Sequence, residues 1–165
     1  MTLDIRPLDA AAVPRLAEIL ERTVAAGGSV HFMDPVPPGG AEAYWSGAVA
    51  DPGRLVLGGF EGDVLQGTVT LYLDTPPNQP FRGEIWKLMV HPDARSRGIA
   101  RALMLEAQRI AAERGRTLLN LDTATEGGAS ELYESLGWVR AGVIPDYALK
   151  PQGGLVGTAI YYLRL

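Results

Sequence analysis

The chain has 165 residues, 47% hydrophobic and 21% charged, a balance typical of a globular protein and neither disordered nor fibrous. A formal net charge of -4 argues against nucleic acid as the main partner, and no stretch approaches the ~20 apolar residues of a membrane span. The absence of cysteine removes disulfides, thiolate metal sites and a Cys nucleophile, and two histidines without matching carboxylate spacing predict no metal.

In chain order, residues 3–7 alternate apolar and polar and stop at Pro7, which reads as a strand. Asp9 is placed to cap a helix in which Val13, Leu16, Leu20 and Val24 recur at three- and four-residue spacing before Gly27 and Gly28. Residues 29–41, rich in Pro and Gly and holding His31, predict a mobile loop, and 41–50 a short helix with Tyr44 and Trp45. Strand patterns at 54–60 and 64–73 flank Glu61-Gly62-Asp63 and predict a β-hairpin. A loop with Pro76, Pro77 and Pro80 leads to a central strand at 84–90. A helix follows over about 98–114, its apolar face formed by Ile99, Ala102, Leu103, Ala107, Ile110 and Ala111, and Gly115 ends it. Then come a strand at 118–122, a helix at 129–136 closed by Gly137, and strands at 138–143 and 158–163. This alternation predicts one α/β domain spanning 1–165, with helices covering a mixed sheet. Met1 to Ala10 hold no signal-like apolar run, so the expected location is cytoplasmic.

The turn Arg95-Ser96-Arg97-Gly98-Ile99-Ala100 stands between the central strand and the long helix. The first N–H groups of a helix lack internal partners and carry the positive end of its dipole, so they suit an anion. Arg95, Arg97 and Arg101 would add cations. Taken alone, the turn fits either a phosphate site or a capped helix start with solvated arginines. The glycines of a dinucleotide fingerprint and the Gly-Lys-Ser/Thr of a Walker loop are absent.

The run from Leu88 to Met104 resembles the acetyl-CoA signature of the GNAT acetyltransferase superfamily, Q/R-x-x-G-x-G/A, matched by Arg95, Gly98 and Ala100. A second segment of that superfamily, Ala-x-x-x-Tyr-x-x-x-Gly-aromatic, is matched by Ala129, Tyr133, Gly137 and Trp138. Within it, Leu121-Asp122-Thr123 and the stretch from Gly142 to Leu149 are similar to tabtoxin-resistance-type acetyltransferases. The resemblance implies a mixed, mostly antiparallel sheet of six to seven strands, helices on both faces, and fourth and fifth strands that splay apart. It implies acetyl-CoA as co-substrate, its pyrophosphate on Arg95, Ser96, Arg97, Gly98, Ile99, Ala100 and Arg101. The pantetheine arm would lie on the backbone of Leu88, Met89 and Val90, with an N–H near Met89 facing the oxyanion. Tyr133 matches the tyrosine near the coenzyme sulfur, a candidate acid. The tabtoxin-type match further implies a small amine acceptor.

An amine of pKa ~10.4 is neutral in only about 0.04% of molecules at pH 7, so a base or water relay is expected. Asp122, at a strand end, and Glu84, at the start of the central strand, are the two candidate bases. Asp122 is preferred because the tabtoxin-type pattern retains it; its alternative role is capping a turn through Thr123 or Thr125, and that of Glu84 is a solvated strand end. His31 could touch the acceptor, His91 could be a spacer or neighbour the coenzyme, and Trp45, Trp86, Tyr147 and Tyr161 could line the acceptor pocket or pack in the core. A peptide acceptor, or an acyl-CoA-binding module without chemistry, remain alternatives. The strand at 158–163 could pair across a homodimer or complete the sheet.

Overall fold

A computed structural model describes residues 2–127 and 129–165. The chain folds as β1 (Leu3–Pro7), α1 (Val13–Ala25), α2 (Gly40–Ala50), β2 (Arg54–Glu61), β3 (Val64–Tyr72), β4 (Arg82–Val90), α3 (Ile99–Glu113), β5 (Leu118–Ala124), α4 (Ala129–Ser135), β6 (Val139–Leu149) and β7 (Leu155–Arg164). Asp9 caps a single 3-10 turn, accepting from the Ala11 amide at 2.9 Å, and α1 starts behind it at Val13. The seven strands form one sheet in the order β1-β2-β3-β4-β5-β7-β6, antiparallel except between β4 and β5. It is the mixed, mostly antiparallel sheet expected.

Helices cover both faces because the strands carry apolar side chains on both. Leu16, Ile19, Leu20 and Val24 of α1 and Trp45 of α2 pack on Val56, Phe60 and Met89. On the opposite face, Ile99, Leu103, Met104 and Ala107 of α3 pack on Leu57, Val69, Leu71 and Ile85. Each fully buried Leu or Ile contributes on the order of 1.5–3 kcal/mol, so the two cores hold the sheet from both sides. None of the helices is long and apolar enough to cross a membrane among the described residues.

Two irregularities position the site. β4 and β5 pair only where Arg82, Gly83 and Glu84 face Leu118, Leu119 and Asn120; beyond that β4 runs on to Val90 and β5 to Ala124 without pairing. β5 stays bonded to β7 as far as Ala124, so the gap opens on the β4 side alone. In β4 itself, Trp86 pairs with Thr70 and Met89 with Thr68, so Lys87 and Leu88 together oppose Val69. This is a bulge, with Lys87 in the left-handed region at φ 54. A non-glycine residue held there costs on the order of 1–3 kcal/mol, the kind of strain that gathers at functional sites.

The last two strands are longer than their sequence pattern predicts. β6 extends to Leu149 through a shift in register between Ile144 and Ala148, which absorbs Pro145 and Asp146 (φ 52). β7 lies between β5 and β6 with both edges paired within the chain, so the 158–163 strand completes the sheet.

Candidate active site

Two cavities meet where β4 and β5 part. The larger, about 670 Å³, runs under the N-terminus of α3 between Leu88, Met89 and Val90 of β4 and the end of α1 at Gly27 and Gly28. The smaller, about 280 Å³, is walled by Ile85, Trp86 and Lys87 of β4, Leu121 and Asp122 of β5, Tyr44 and Arg54. Ser29, Val30, Leu88, Thr123 and Tyr133 line both, so the two adjoin along a shared wall.

The larger cavity lies against the turn that opens α3. Ser96 (φ 62) and Gly98 (φ 81) are both left-handed, which turns the chain sharply before α3 begins at Ile99. The first helical bond runs from the Ala102 amide to the Gly98 carbonyl at 3.0 Å, and the amides before it lie in the unpaired first turn. Two left-handed residues next to a helix start form a concavity of N–H groups suited to phosphate. A Cβ on Gly98 would meet nothing within 4 Å, so it is the left-handed φ that calls for glycine here.

Most of the residues expected at the coenzyme reach this cavity: Leu88, Met89, Val90, Arg95, Ser96, Gly98, Ile99, Ala100, Arg101 and Tyr133. Arg97 is not in its wall. The Arg97 guanidinium donates to Glu61 Oε2 at 2.9 Å and to the Asp93 carbonyl at 2.7 Å, tying the turn to β2. Arg101 donates to Ser135 Oγ at 2.6 Å, linking α3 to α4.

The smaller cavity is built from side chains of separate elements. Asp122 projects into it and accepts from Thr158 Oγ1 of β7 at 2.9 Å through Oδ2, instead of from Thr123 or Thr125. Tyr133, buried on α4, packs against Trp138 and Tyr161 at ring-centroid distances of 6.1 and 5.8 Å. Burial, and then the Asp122 charge, push its phenol well above the usual tyrosine range, so it keeps its proton at neutral pH. Glu84 lines neither cavity. Its Oε1 accepts from Arg82 at 2.6 Å and its Oε2 from the Trp86 indole at 2.7 Å, so both oxygens are engaged in fixing a cavity wall.

Lys87, which lines the smaller cavity, is a candidate side chain that sequence reasoning passed over. Its ammonium lies 2.8 Å from His31 Nδ1 and 5.3 Å from the centre of the Tyr44 ring. Burial lowers its pKa to about 8; Asp122 pulls the other way and Arg54 adds to the fall. Loss of solvation, followed by the Lys87 charge, likewise holds His31 below the usual imidazole range. The available signal was a charged residue inside the apolar run Ile85-Trp86-Lys87-Leu88-Met89-Val90.

The remaining aromatic and histidine candidates divide cleanly. Trp86 lines the smaller cavity, stacked on Tyr72 at 4.3 Å. Trp45 is fully buried between α1 and α2, Tyr161 is buried and donates to Glu134 at 2.9 Å, and Tyr147 is exposed. His31 lines the smaller cavity, whereas His91 is buried and lines neither, its Nδ1 accepting from the Asp93 amide at 3.2 Å. The loop bearing His31 is fastened at its far side: the Asp34 amide donates to the Pro151 carbonyl at 3.0 Å, and Gln152 donates to Asp34 Oδ2 at 3.1 Å.

The sequence profile described as "Acetyltransferase (GNAT) family" matches residues 17–138. The chain belongs to the GNAT acetyltransferase family. Solved GNAT-fold proteins superpose over nearly its full length. The yncA protein from Salmonella typhimurium, solved with its cofactor acetyl-CoA, matches with a TM-score of 0.83 and 22% identity over 100% of this chain and 95% of its own. A GNAT superfamily phosphinothricin acetyltransferase from Sinorhizobium meliloti, in complex with acetyl-CoA, matches with a TM-score of 0.83 and 22% identity, covering 100% and 89%. A ribosomal-protein-alanine N-acetyltransferase from Brucella melitensis matches with a TM-score of 0.84 and 21% identity, covering 98% and 99%. The two descriptions that name an acceptor name different ones on one GNAT fold, so the acceptor must be argued from the cavity wall.

Proposed function

We propose that the chain is an N-acetyltransferase that moves the acetyl group of acetyl-CoA to a primary amine of a small molecule by direct attack in a ternary complex. The observation that carries this is the junction of the two cavities: Asp122 and Tyr133 share the smaller one, and Tyr133 and Leu88 also line the larger one beneath the α3 N-terminus. The backbone turn at 95–101 receives the pyrophosphate, without help from the Arg97 side chain. The pantetheine arm lies along Leu88, Met89 and Val90, in the gap left by β5, where the unpaired edge of β4 offers backbone groups.

The amine nitrogen attacks the thioester carbonyl carbon, forming the C–N bond, and the C–S bond then breaks. Asp122 takes the proton that the amine loses, directly or through water. The oxyanion is met by a backbone N–H near Met89. Tyr133, in the wall shared by the two cavities, delivers its proton to the departing sulfur. The net change is an amide and the coenzyme thiol. With no Cys in the chain, an acyl-cysteine route has no nucleophile.

A cavity of about 280 Å³ under the loop at Ser29 to His31 favours a compact acceptor over an extended peptide, which needs an open groove. The test is release of coenzyme thiol from acetyl-CoA across amines, polyamines, amino acids, aminoglycosides and peptides. Turnover confined to peptides would overturn the small-acceptor reading. Tight coenzyme binding without turnover on any class would point to a non-catalytic module.

A further inference from the structure

The acceptor cavity carries an unbalanced set of charges. Asp122 is the carboxylate in its wall, against Lys87, Arg54 and the imidazole of His31. Arg54 already has a partner outside the cavity, Asp51 Oδ2 at 3.0 Å from Nε, and its guanidinium lies 5.1 Å from the centre of the Trp86 ring. Lys87 has no such partner: among the described residues its contacts are His31 Nδ1 and the Tyr44 ring, and no carboxylate forms an ion pair with it. Asp122 is near enough to bias the Lys87 charge, yet the contact Asp122 makes is with the Thr158 hydroxyl.

A cation drawn out of water without a counter-ion is costly, and an anion bound beside it offsets that cost. The bulge supplies the placement. By turning Lys87 into the left-handed region at the unpaired part of β4, it aims the ammonium into the cavity near Arg54, while Asp122 approaches from β5.

Building on the proposed N-acetyltransferase activity, we infer that the acceptor is a carboxylate-bearing primary amine, its carboxylate seated between Lys87 and Arg54 and its amine directed to Asp122. Lys87 and Arg54 are then specificity-determining residues. The two ends of an amino acid are sorted by charge: the acid goes to the basic side of the cavity and the amine to the single carboxylate.

The experiment compares acetyl-CoA turnover on matched sets of free amino acids, their primary amides and their decarboxylated amines, using the wild type, Lys87→Met and Arg54→Gln. For the wild type, kcat/KM for at least one acid exceeds that for its own amide by about 30-fold or more, as expected when one partner of a desolvated charge pair is removed. In Lys87→Met that ratio falls to within a few-fold, mainly through KM for the acid. A second readout needs no turnover: calorimetric titration of the coenzyme-bound protein with N-acetyl amino acids and their amides. The acid form binds at least about 10-fold tighter, and the preference is lost in Lys87→Met.

The inference is overturned if the wild type prefers the amides or decarboxylated amines. It is equally overturned if Lys87→Met lowers acid and amide alike, which would make Lys87 a counter-ion of Asp122. If no amine is turned over but Lys87-dependent binding of the N-acetyl acids persists, the catalytic reading fails and the anion site stands. Absence of both leaves neither.

Discussion

The two halves of the candidate site are made of different material. The α3 turn is a contiguous stretch shaped by two left-handed residues, and its candidate anion-binding groups are first-turn amides. The candidate acceptor cavity draws its side chains from β2, α2, β4, β5, α4 and the loop after α1. A backbone site tolerates many sequences provided that the chain can make the turn, and it presents the same groups to the same ligand. A side-chain site changes its chemistry with each substitution. Two of the neighbouring structures, 21% and 22% identical to this chain, fit that contrast, sharing its fold while their descriptions name different acceptors.

The contrast can be broken by single substitutions. The largest effect is expected from Tyr133→Phe, which removes one oxygen from the junction: kcat falls about 100- to 1000-fold while KM for acetyl-CoA changes no more than about threefold. A kcat equal to wild type would remove Tyr133 as the acid. Asp122→Asn comes next, with kcat/KM down about 100-fold at neutral pH and the fall on the acid side moved or abolished in the pH profile. Glu84→Gln keeps that acid limb. It costs about 1–2 kcal/mol of stability instead, measured by denaturant unfolding, because Arg82 and Trp86 lose a charged acceptor. A reversed pattern would exchange the roles of the two carboxylates.

On the backbone side, Gly98→Val forces a β-branched residue to φ 81, and the first-turn amides shift. The Kd for acetyl-CoA measured by calorimetry rises about 30-fold, with kcat at saturation little changed. Unchanged affinity would show that the turn does not hold the coenzyme.

The smallest effect is on stability. Lys87 titrates at about 8 in the fold against an ordinary 10.5, with His31, Tyr44, Arg54 and Asp122 around it. Between those two values the unfolded chain binds more protons, so the lysine opposes folding below about pH 8 and this penalty fades as pH rises towards 10.5. Lys87→Met therefore stabilises the protein by about 1–2 kcal/mol at pH 7, less than the full shift implies because the group keeps some solvent, and the gain disappears above pH 10. No gain at pH 7 would mean that His31 and Asp122 already compensate the charge.

How much of this was legible in the sequence follows the same division. The α3 turn could be read because all its determinants are neighbours in the chain: an apolar strand, Gly98 and the periodic face of Ile99, Leu103 and Ala107. The contact Arg97 makes could not be read because its partner, Glu61, lies 36 residues away, and local charge says nothing about which way a guanidinium turns. The split between Asp122 and Glu84 could not be read for the same reason. The Thr158 hydroxyl on Asp122 bears on it, and a strand register is needed to know that β7 brings the two together. The far half of β6 was missed because Pro145 interrupts the alternation, and only the bulge before Ala148 lets pairing resume.

The bulge in β4 has one more consequence. Ile85, Trp86 and Lys87 line the smaller cavity, Met89 and Val90 the larger one and Leu88 both, so the bulge at Lys87 and Leu88 divides this part of the strand between the two cavities. On the proposed function, exchanging Ile85, Trp86 or Lys87 would retune the incoming amine while the pairing of Met89 with Thr68 and Val90 with Gly67 stays in step. A lineage can thus change its acceptor without relearning how to hold its donor.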